Sequence, residues 1–125
     1  MTMDITVKNR LQEVVKRLEE TKGGLKLFAC VWRDSVKRWD IVVSATWVDY
    51  GKSVENLGDM LDATKATFNG EYSLRFYTIN PLKEEEPFVQ EIIKLLAPVT
   101  APVEFENVSF GGVNIEKMVL FVAKK

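Results

Sequence analysis

Hydrophobic residues recur at intervals of three and four positions from Thr6 to about Glu20, which predicts an amphipathic helix. The apolar positions that share one face are Leu11, Val14, Val15 and Leu18. Gly23 and Gly24 follow this segment, and glycine readily adopts the left-handed conformation in which helices commonly end. The pattern therefore predicts a first helix that docks on the protein by one stripe.

Two short β-rich segments come next, from Leu25 to Trp32 and from Arg38 to Trp47. The second contains the consecutive apolar residues Ile41, Val42 and Val43, a run that is typical of a strand buried on both faces. We expect the two segments to pair as a hairpin at the centre of a sheet that helices cover on both sides.

A strand-helix-strand unit is predicted after the hairpin. Ser53 is the expected N-cap of its helix. The strand from Glu71 to Ile79 should lie parallel to the second hairpin strand, since such a unit makes a parallel crossover. Asn80 and Pro81 are expected to break that strand. The predicted buried face of this helix consists of Val54, Leu57, Leu61, Thr64 and Phe68.

A third helix and a terminal hairpin complete the pattern. The acidic run from Glu84 to Glu86 before Pro87 suits the first turn of a helix, where the dipole favours carboxylates. Gly111 and Gly112 form a turn between β-rich runs, and the strand from Ile115 to Val122 is expected at the sheet edge. The predicted buried stripe of the helix consists of Phe88, Ile92, Leu95 and Leu96.

The predicted fold class is α+β, with a single mixed β-sheet, helices packed on it and the order α-β-β-α-β-α-β-β. A chain of 125 residues fits a single globular domain over residues 1–125. The 17 basic and 18 acidic side chains give a net charge of −1, which argues against nonspecific nucleic-acid binding. Because no signal peptide or long apolar run is present, we expect a cytoplasmic protein with no membrane association.

The chain contains no histidine, which excludes Ser-His-Asp triads, His-ligated zinc and imidazole proton shuttles. The single cysteine, Cys30, lies in an apolar segment and is expected to be a buried, inert thiol. Neither Gly-Gly pair has the spacing of a phosphate-binding loop, and no cofactor is predicted. Core or rim packing is expected for the three tryptophans, with stacking on a planar ligand as the alternative; these are Trp32, Trp39 and Trp47.

Charged residues concentrate around the turn of the central hairpin, at Arg33, Asp34, Lys37, Arg38 and Asp40. Such a cluster can clamp a phosphate or hold a divalent cation, and it can equally be a solvated turn whose charges neutralise one another. Asp40 differs from the others because it begins a buried strand, where a carboxylate must cap, pair or bind something.

The order helix, hairpin, helix, strand, helix, with an acid before the apolar second strand, resembles the small, single-domain nucleotidyltransferase fold over about residues 25 to 80. That family has a Gly-Ser pair after the first strand, an Asp-x-Asp pair opening the second and a third acid on the next strand, which together form a two-metal site. In this chain the corresponding residues are Ala29 and Cys30, then Arg38, Trp39 and Asp40, and finally Arg75.

The resemblance implies a degenerate, catalytically inactive relative, because two arginines in place of carboxylates cannot hold two magnesium ions. It also implies that Arg38 and Arg75 bind a nucleotide phosphate. Separately, the segment RWDIVVSATW, residues 38–47, is similar to one in small uncharacterised prokaryotic proteins.

The sequence supports three hypotheses. The first is a non-catalytic ligand-binding or protein-interaction module that binds a nucleotide or another phosphate-bearing small molecule. The second is a metal-dependent enzyme that uses Asp40 together with Asp34 or Asp49. The third is a structural partner that forms a homo-oligomer through the C-terminal hairpin. The residues expected to contact a ligand are Arg33, Asp34, Arg38, Asp40 and Arg75.

Overall fold

The structure is a computed structural model that describes residues 3–47, 53–70 and 72–125. Its strands are β1 Leu27–Arg33, β2 Arg38–Ser44, β3 Phe76–Pro81, β4 Val103–Phe110 and β5 Val113–Ala123. Its helices are α1 Ile5–Thr21, α2 Ser53–Phe68, the single turn α3 Tyr72–Arg75 and α4 Pro87–Leu96. The strands form one mixed sheet in the order β3-β2-β1-β5-β4, so the predicted α+β class and element order are confirmed, with α3 as an addition.

Within the described residues no helix has the length and apolar character needed to span a bilayer.

The β1–β2 hairpin lies at the centre of the sheet, as predicted. Its two strands pair antiparallel from Leu27 opposite Ser44 to Arg33 opposite Arg38. Nearly every residue of β2 is buried, because both faces of the hairpin are covered. The second strand is shorter than predicted: it ends at Ser44, and the Trp47 indole N–H instead donates to the Gly23 carbonyl oxygen at 3.0 Å.

Two apolar clusters occupy opposite faces of the sheet. The first lies beneath α1 and α2 and the second beneath α4, which gives a helix-sheet-helix arrangement of layers. The first cluster includes Leu11, Val14 and Leu18 of α1, Met60 and Phe68 of α2, and Phe28, Ile41 and Val43 of the hairpin. The second includes Leu27, Ala29 and Val42 of the hairpin, Leu120 of β5, and Val89 and Ile92 of α4.

The structure describes only some of the side chains on the predicted buried face of α2. Thr64 and Phe68 are buried and Leu61 packs against the first cluster, while Met60 is a buried residue that the predicted face omitted. The side chains of Val54 and Leu57 lie outside the described part of the structure. The Thr64 hydroxyl donates to the Met60 carbonyl oxygen at 2.8 Å, which satisfies this polar side chain inside the core.

The strand predicted from Glu71 to Ile79 is wrong in its limits. Glu71 lies outside the described residues, residues 72–75 form the turn α3, and β3 runs from Phe76 to Pro81. β3 does pair parallel with β2, but it continues to Pro81, opposite Val43. A proline is tolerated here because β3 is an edge strand and needs hydrogen bonds on one side only.

The predicted start and buried stripe of α4 also require correction. The helix begins at Pro87, so the acidic run Glu84 to Glu86 precedes its first turn instead of forming it. Val89 and Ile92 are fully buried, whereas Leu95 is 59% exposed and the remaining predicted stripe residues are only half-buried. The contact with the sheet is therefore centred on two residues three positions apart, and Leu95 lies outside it.

The terminal hairpin is confirmed, but its outer strand is not the predicted one. β5 lies between β1 and β4, and its segment from Met118 to Ala123 is completely buried. A strand buried on both faces and paired on both sides cannot be an edge. The edge at this end of the sheet is β4, so the prediction of a free edge from Ile115 to Val122 was wrong.

We predict that Gly111→Ala destabilises the protein more than Gly112→Ala. Both residues have positive φ, which costs a residue with a Cβ about 1–2 kcal/mol. A Cβ on Gly111 would additionally lie 2.5 Å from the Phe88 backbone nitrogen and 2.6 Å from the Pro87 carbonyl carbon, whereas one on Gly112 meets nothing within 4 Å. Urea unfolding of the two variants measures the difference, and equal losses would contradict the packing of this turn on α4.

Candidate functional site

Asp40 is a buried carboxylate on β2, close to the turn of the central hairpin. It lies opposite Val31 of β1 and Thr78 of β3, so strands adjoin it on both sides. The Thr78 hydroxyl donates to Asp40 Oδ1 at 2.9 Å, and the Asn80 side-chain amide donates to the Thr78 hydroxyl oxygen at 3.1 Å. One carboxylate oxygen is thus tied to the edge strand β3.

Arg33 engages the other carboxylate oxygen. Its Nε and Nη2 atoms each lie 2.7 Å from Asp40 Oδ2, while the side chain as a whole is 45% exposed. The guanidinium carbon also lies 5.3 Å from the centroid of the Tyr77 ring, within cation-π distance. Tyr77 takes this position at a register shift in β3, between the pairs Trp39–Phe76 and Asp40–Thr78.

Arg38 is a second arginine at this part of the hairpin. It lies directly opposite Arg33 in the hairpin and two positions before Asp40, so the three residues share one face of the sheet. Arg38 is half-buried, and among the described residues no ion pair or side-chain hydrogen bond involves it. The group of Arg33, Arg38, Asp40 and Thr78, called here the arginine patch, therefore carries two positive charges against one negative charge.

Asp34 has different partners from Asp40. Its Oδ1 atom lies 2.7 Å from Lys37 Nζ and 3.4 Å from the Trp32 indole nitrogen. The hydrogen bond from Lys37, followed by that from Trp32, lowers the pKa of the exposed Asp34 carboxyl. The two aspartates share no partner, which leaves Asp34 in a self-neutralising turn and Asp40 in the arginine patch.

The described residues contain no group of three or more histidine, cysteine, aspartate or glutamate side chains that could hold a metal ion. Asp49, the other proposed partner of Asp40, lies outside the described residues. Both oxygens of Asp40 already accept hydrogen bonds from Arg33 and Thr78. A cation at this carboxylate would be repelled by the Arg33 guanidinium that is already bound to it.

Arg75 does not lie in the arginine patch. It ends α3, and its Nη1 atom is 3.9 Å from Oδ2 of Asp4, the N-cap residue of α1. The other oxygen of Asp4 accepts a hydrogen bond from the Val7 backbone N–H at 2.9 Å. Arg75 therefore helps to hold the start of α1 beside the start of β3.

Three residues that contribute to the patch were missed in the sequence: Tyr77, Thr78 and Asn80. A signal was present for two of them, because Thr78 and Asn80 are polar residues two positions apart and therefore share one face of a strand. Tyr77 could not have been found in this way. It owes its place to the register shift in β3, which breaks the alternation on which the argument depends.

The tryptophans and the cysteine belong to the core, as predicted. Trp32 and Trp39 are opposite each other, buried, and packed edge to face with ring centroids 5.2 Å apart. Cys30 has no exposed surface. Burial raises the pKa of its thiol far above the ordinary value, and the nearby Asp40 carboxylate adds to the rise.

We expect Cys30 to be unreactive in the folded protein. At neutral pH an aromatic disulfide reagent should label it only as fast as the chain unfolds, since both the thiolate and access to the sulfur are lacking. Labelling followed by absorbance, with and without denaturant, measures this. Rapid reaction of the native protein would show that the cysteine is accessible.

We also predict that Asp40→Asn lowers the free energy of unfolding by about 1–3 kcal/mol, because a buried charge-assisted hydrogen bond is lost. Asp34→Asn is the matched control: its carboxylate also accepts from a cation, but it is exposed, and its removal should change stability little. Urea unfolding at neutral pH gives both values. Equal effects would show that the Asp40 pair is no more important than a surface ion pair.

Chemically, the arginine patch offers guanidinium groups on one face of a rigid sheet, with a buried carboxylate fixing one of them. Such an arrangement is suited to binding an anion.

No family model, curated protein or solved structure matches this chain.

Proposed function

We propose that this protein is a non-catalytic binding module whose arginine patch takes the phosphate of a nucleotide or of another small phosphate-bearing molecule. The observation that carries the proposal is that Arg33 and Arg38 lie opposite each other in the hairpin, while the one carboxylate of the patch, Asp40, is paired with Arg33. Asp40 neutralises one of the two guanidinium charges. The remaining positive charge is on a half-buried side chain, where an anion is attracted more strongly than at a fully solvated lysine.

The geometry of Arg33 also supports anion binding. Asp40 holds its Nε and Nη2 atoms from the buried side, and the side chain is still almost half exposed. The guanidinium plane is therefore oriented before a ligand arrives, which reduces the entropy lost when the ligand binds. In this role Asp40 positions Arg33 and does not itself contact the anion.

The order of the elements, with β3 parallel to β2, supports a distant relation to the small nucleotidyltransferase fold. In that alignment Arg38 stands at one of the metal-binding acids, so a phosphate would be held by an arginine in place of a metal ion. The ligand contacts are proposed for Arg33 and Arg38. Arg75 is directed instead to the N-cap of α1.

Isothermal calorimetry with inorganic phosphate, AMP and ATP, each with and without magnesium, tests the proposal. We expect binding that weakens as salt is added and does not require magnesium. Arg38→Gln should weaken binding about tenfold or more, the loss expected for one charge-assisted hydrogen bond. The fold should be unaffected, because Arg38 has no ion pair among the described residues.

Lys37→Gln is the matched control, because it removes a positive charge from the same hairpin turn but from a side chain that is exposed and already paired with Asp34. Its binding should remain close to that of the unmodified protein. Absence of binding to all three anions, or equal losses in the two variants, would reject the arginine patch as the site. Magnesium-dependent turnover of ATP that is abolished by Asp40→Asn would favour the enzyme hypothesis instead.

A further inference from the structure

A chain of hydrogen bonds leads from the arginine patch along β3. The Thr78 hydroxyl donates to Oδ1 of Asp40, whose other oxygen is bound by Arg33. Because a carboxylate held by a guanidinium can only accept, the Thr78 proton must point at Asp40. The Thr78 oxygen is then left to accept, and it does so from the Asn80 amide nitrogen at 3.1 Å. These bonds therefore turn the amide nitrogen of Asn80 toward Thr78 and its carbonyl oxygen, Oδ1, away from it.

The Asn80 carbonyl oxygen is an oriented acceptor that is still open. Within the described residues the side chain of Asn80 makes no hydrogen bond other than the one to Thr78, which uses one of its two amide protons. The side chain is half-buried, so part of it remains in reach of a ligand. An uncharged acceptor and an uncharged donor thus adjoin the cationic patch, on the same face of the sheet.

Asn80 is close enough to the patch for one small molecule to contact both. It lies two residues beyond Thr78, which is about 7 Å along the strand from the level at which Arg33 meets Asp40. A pentose with its phosphate group has a similar length. Sugar hydroxyl groups also match the open amide, because each of them can both donate and accept a hydrogen bond.

We propose that the ligand of the arginine patch is a pentose phosphate, either free or as part of a nucleotide, and that one of its hydroxyl groups donates to Asn80 Oδ1. Because the phosphate must lie at Arg33 and Arg38, this ligand assignment rests on the proposed function. The arginines supply affinity for the phosphate through charge. Asn80 supplies selectivity, since it distinguishes a phosphate ester that carries hydroxyl groups from one that has none.

Isothermal calorimetry with ribose 5-phosphate and methyl phosphate tests this selectivity, because both are phosphate monoesters and only the first carries hydroxyl groups on its organic part. Ribose 5-phosphate should bind about five- to tenfold more tightly, the effect of one neutral hydrogen bond. AMP then distinguishes the two sources of the pentose. Tighter binding of AMP than of ribose 5-phosphate indicates a nucleotide, and equal binding indicates a free sugar phosphate; either result retains the pentose contact.

Asn80→Ala should reduce the affinity for ribose 5-phosphate to that for methyl phosphate. Its affinity for methyl phosphate should stay unchanged, because the bonds of Asp40 to Arg33 and Thr78 do not involve Asn80. Asn114→Ala is the matched control, since it removes an exposed asparagine from another strand, β5, and should keep the preference. Thermal unfolding establishes that both variants are folded.

Three results would overturn the assignment while leaving phosphate binding in place. They are equal affinities of the unmodified protein for the two esters, a preference that survives in Asn80→Ala, and an equal loss of both esters in that variant, which would mean that Asn80 acts only through Arg33. Absence of binding to every phosphate compound would reject the proposed function together with this assignment.

Discussion

The fold depends on burial of the β1–β2 hairpin on both faces. The hairpin presents apolar side chains in both directions, Phe28 and Ile41 on one face and Leu27 and Val42 on the other, so each face requires its own cover. The paired helices α1 and α2 satisfy one face and the shorter α4 satisfies the other. The positions of the remaining strands follow, because β3 and β5 extend the sheet on either side of a hairpin that is already buried.

A charged side chain is buried in this arrangement where the hairpin approaches its turn. Asp40 lies near the start of the buried run of β2, and its carboxylate would be costly there without partners. Arg33 from β1 and Thr78 from β3 supply them, so one side chain links three strands. The same link that compensates the burial of the acid also fixes the guanidinium that the proposed ligand contacts. The structural role of Arg33 thus coincides with the binding role that we propose for it.

Much of the fold was predictable because its signals are local. Periodicity identified α1, the run at Ile41 identified the buried strand, and Gly111 with Gly112 identified the final turn. The errors concern tertiary pairing: β5 was placed at an edge because a strand's neighbours are not encoded in its own pattern. The site was only partly predictable for the same reason. The Arg33–Asp40 pair arises from hairpin register, and Arg75 is drawn to Asp4, far away in the sequence.

The pairing of β1 with β5 has a consequence for how the chain reaches its native state. Leu27 pairs with Ala123, so the central strand obtains its second neighbour from almost the opposite end of the sequence. Contacts between such distant segments are slow to form, because a long loop must close before they contribute stability. During synthesis, the side of β1 that pairs with β5 therefore remains unpaired until β5 has emerged. In this interval aggregation or chaperone binding competes with folding.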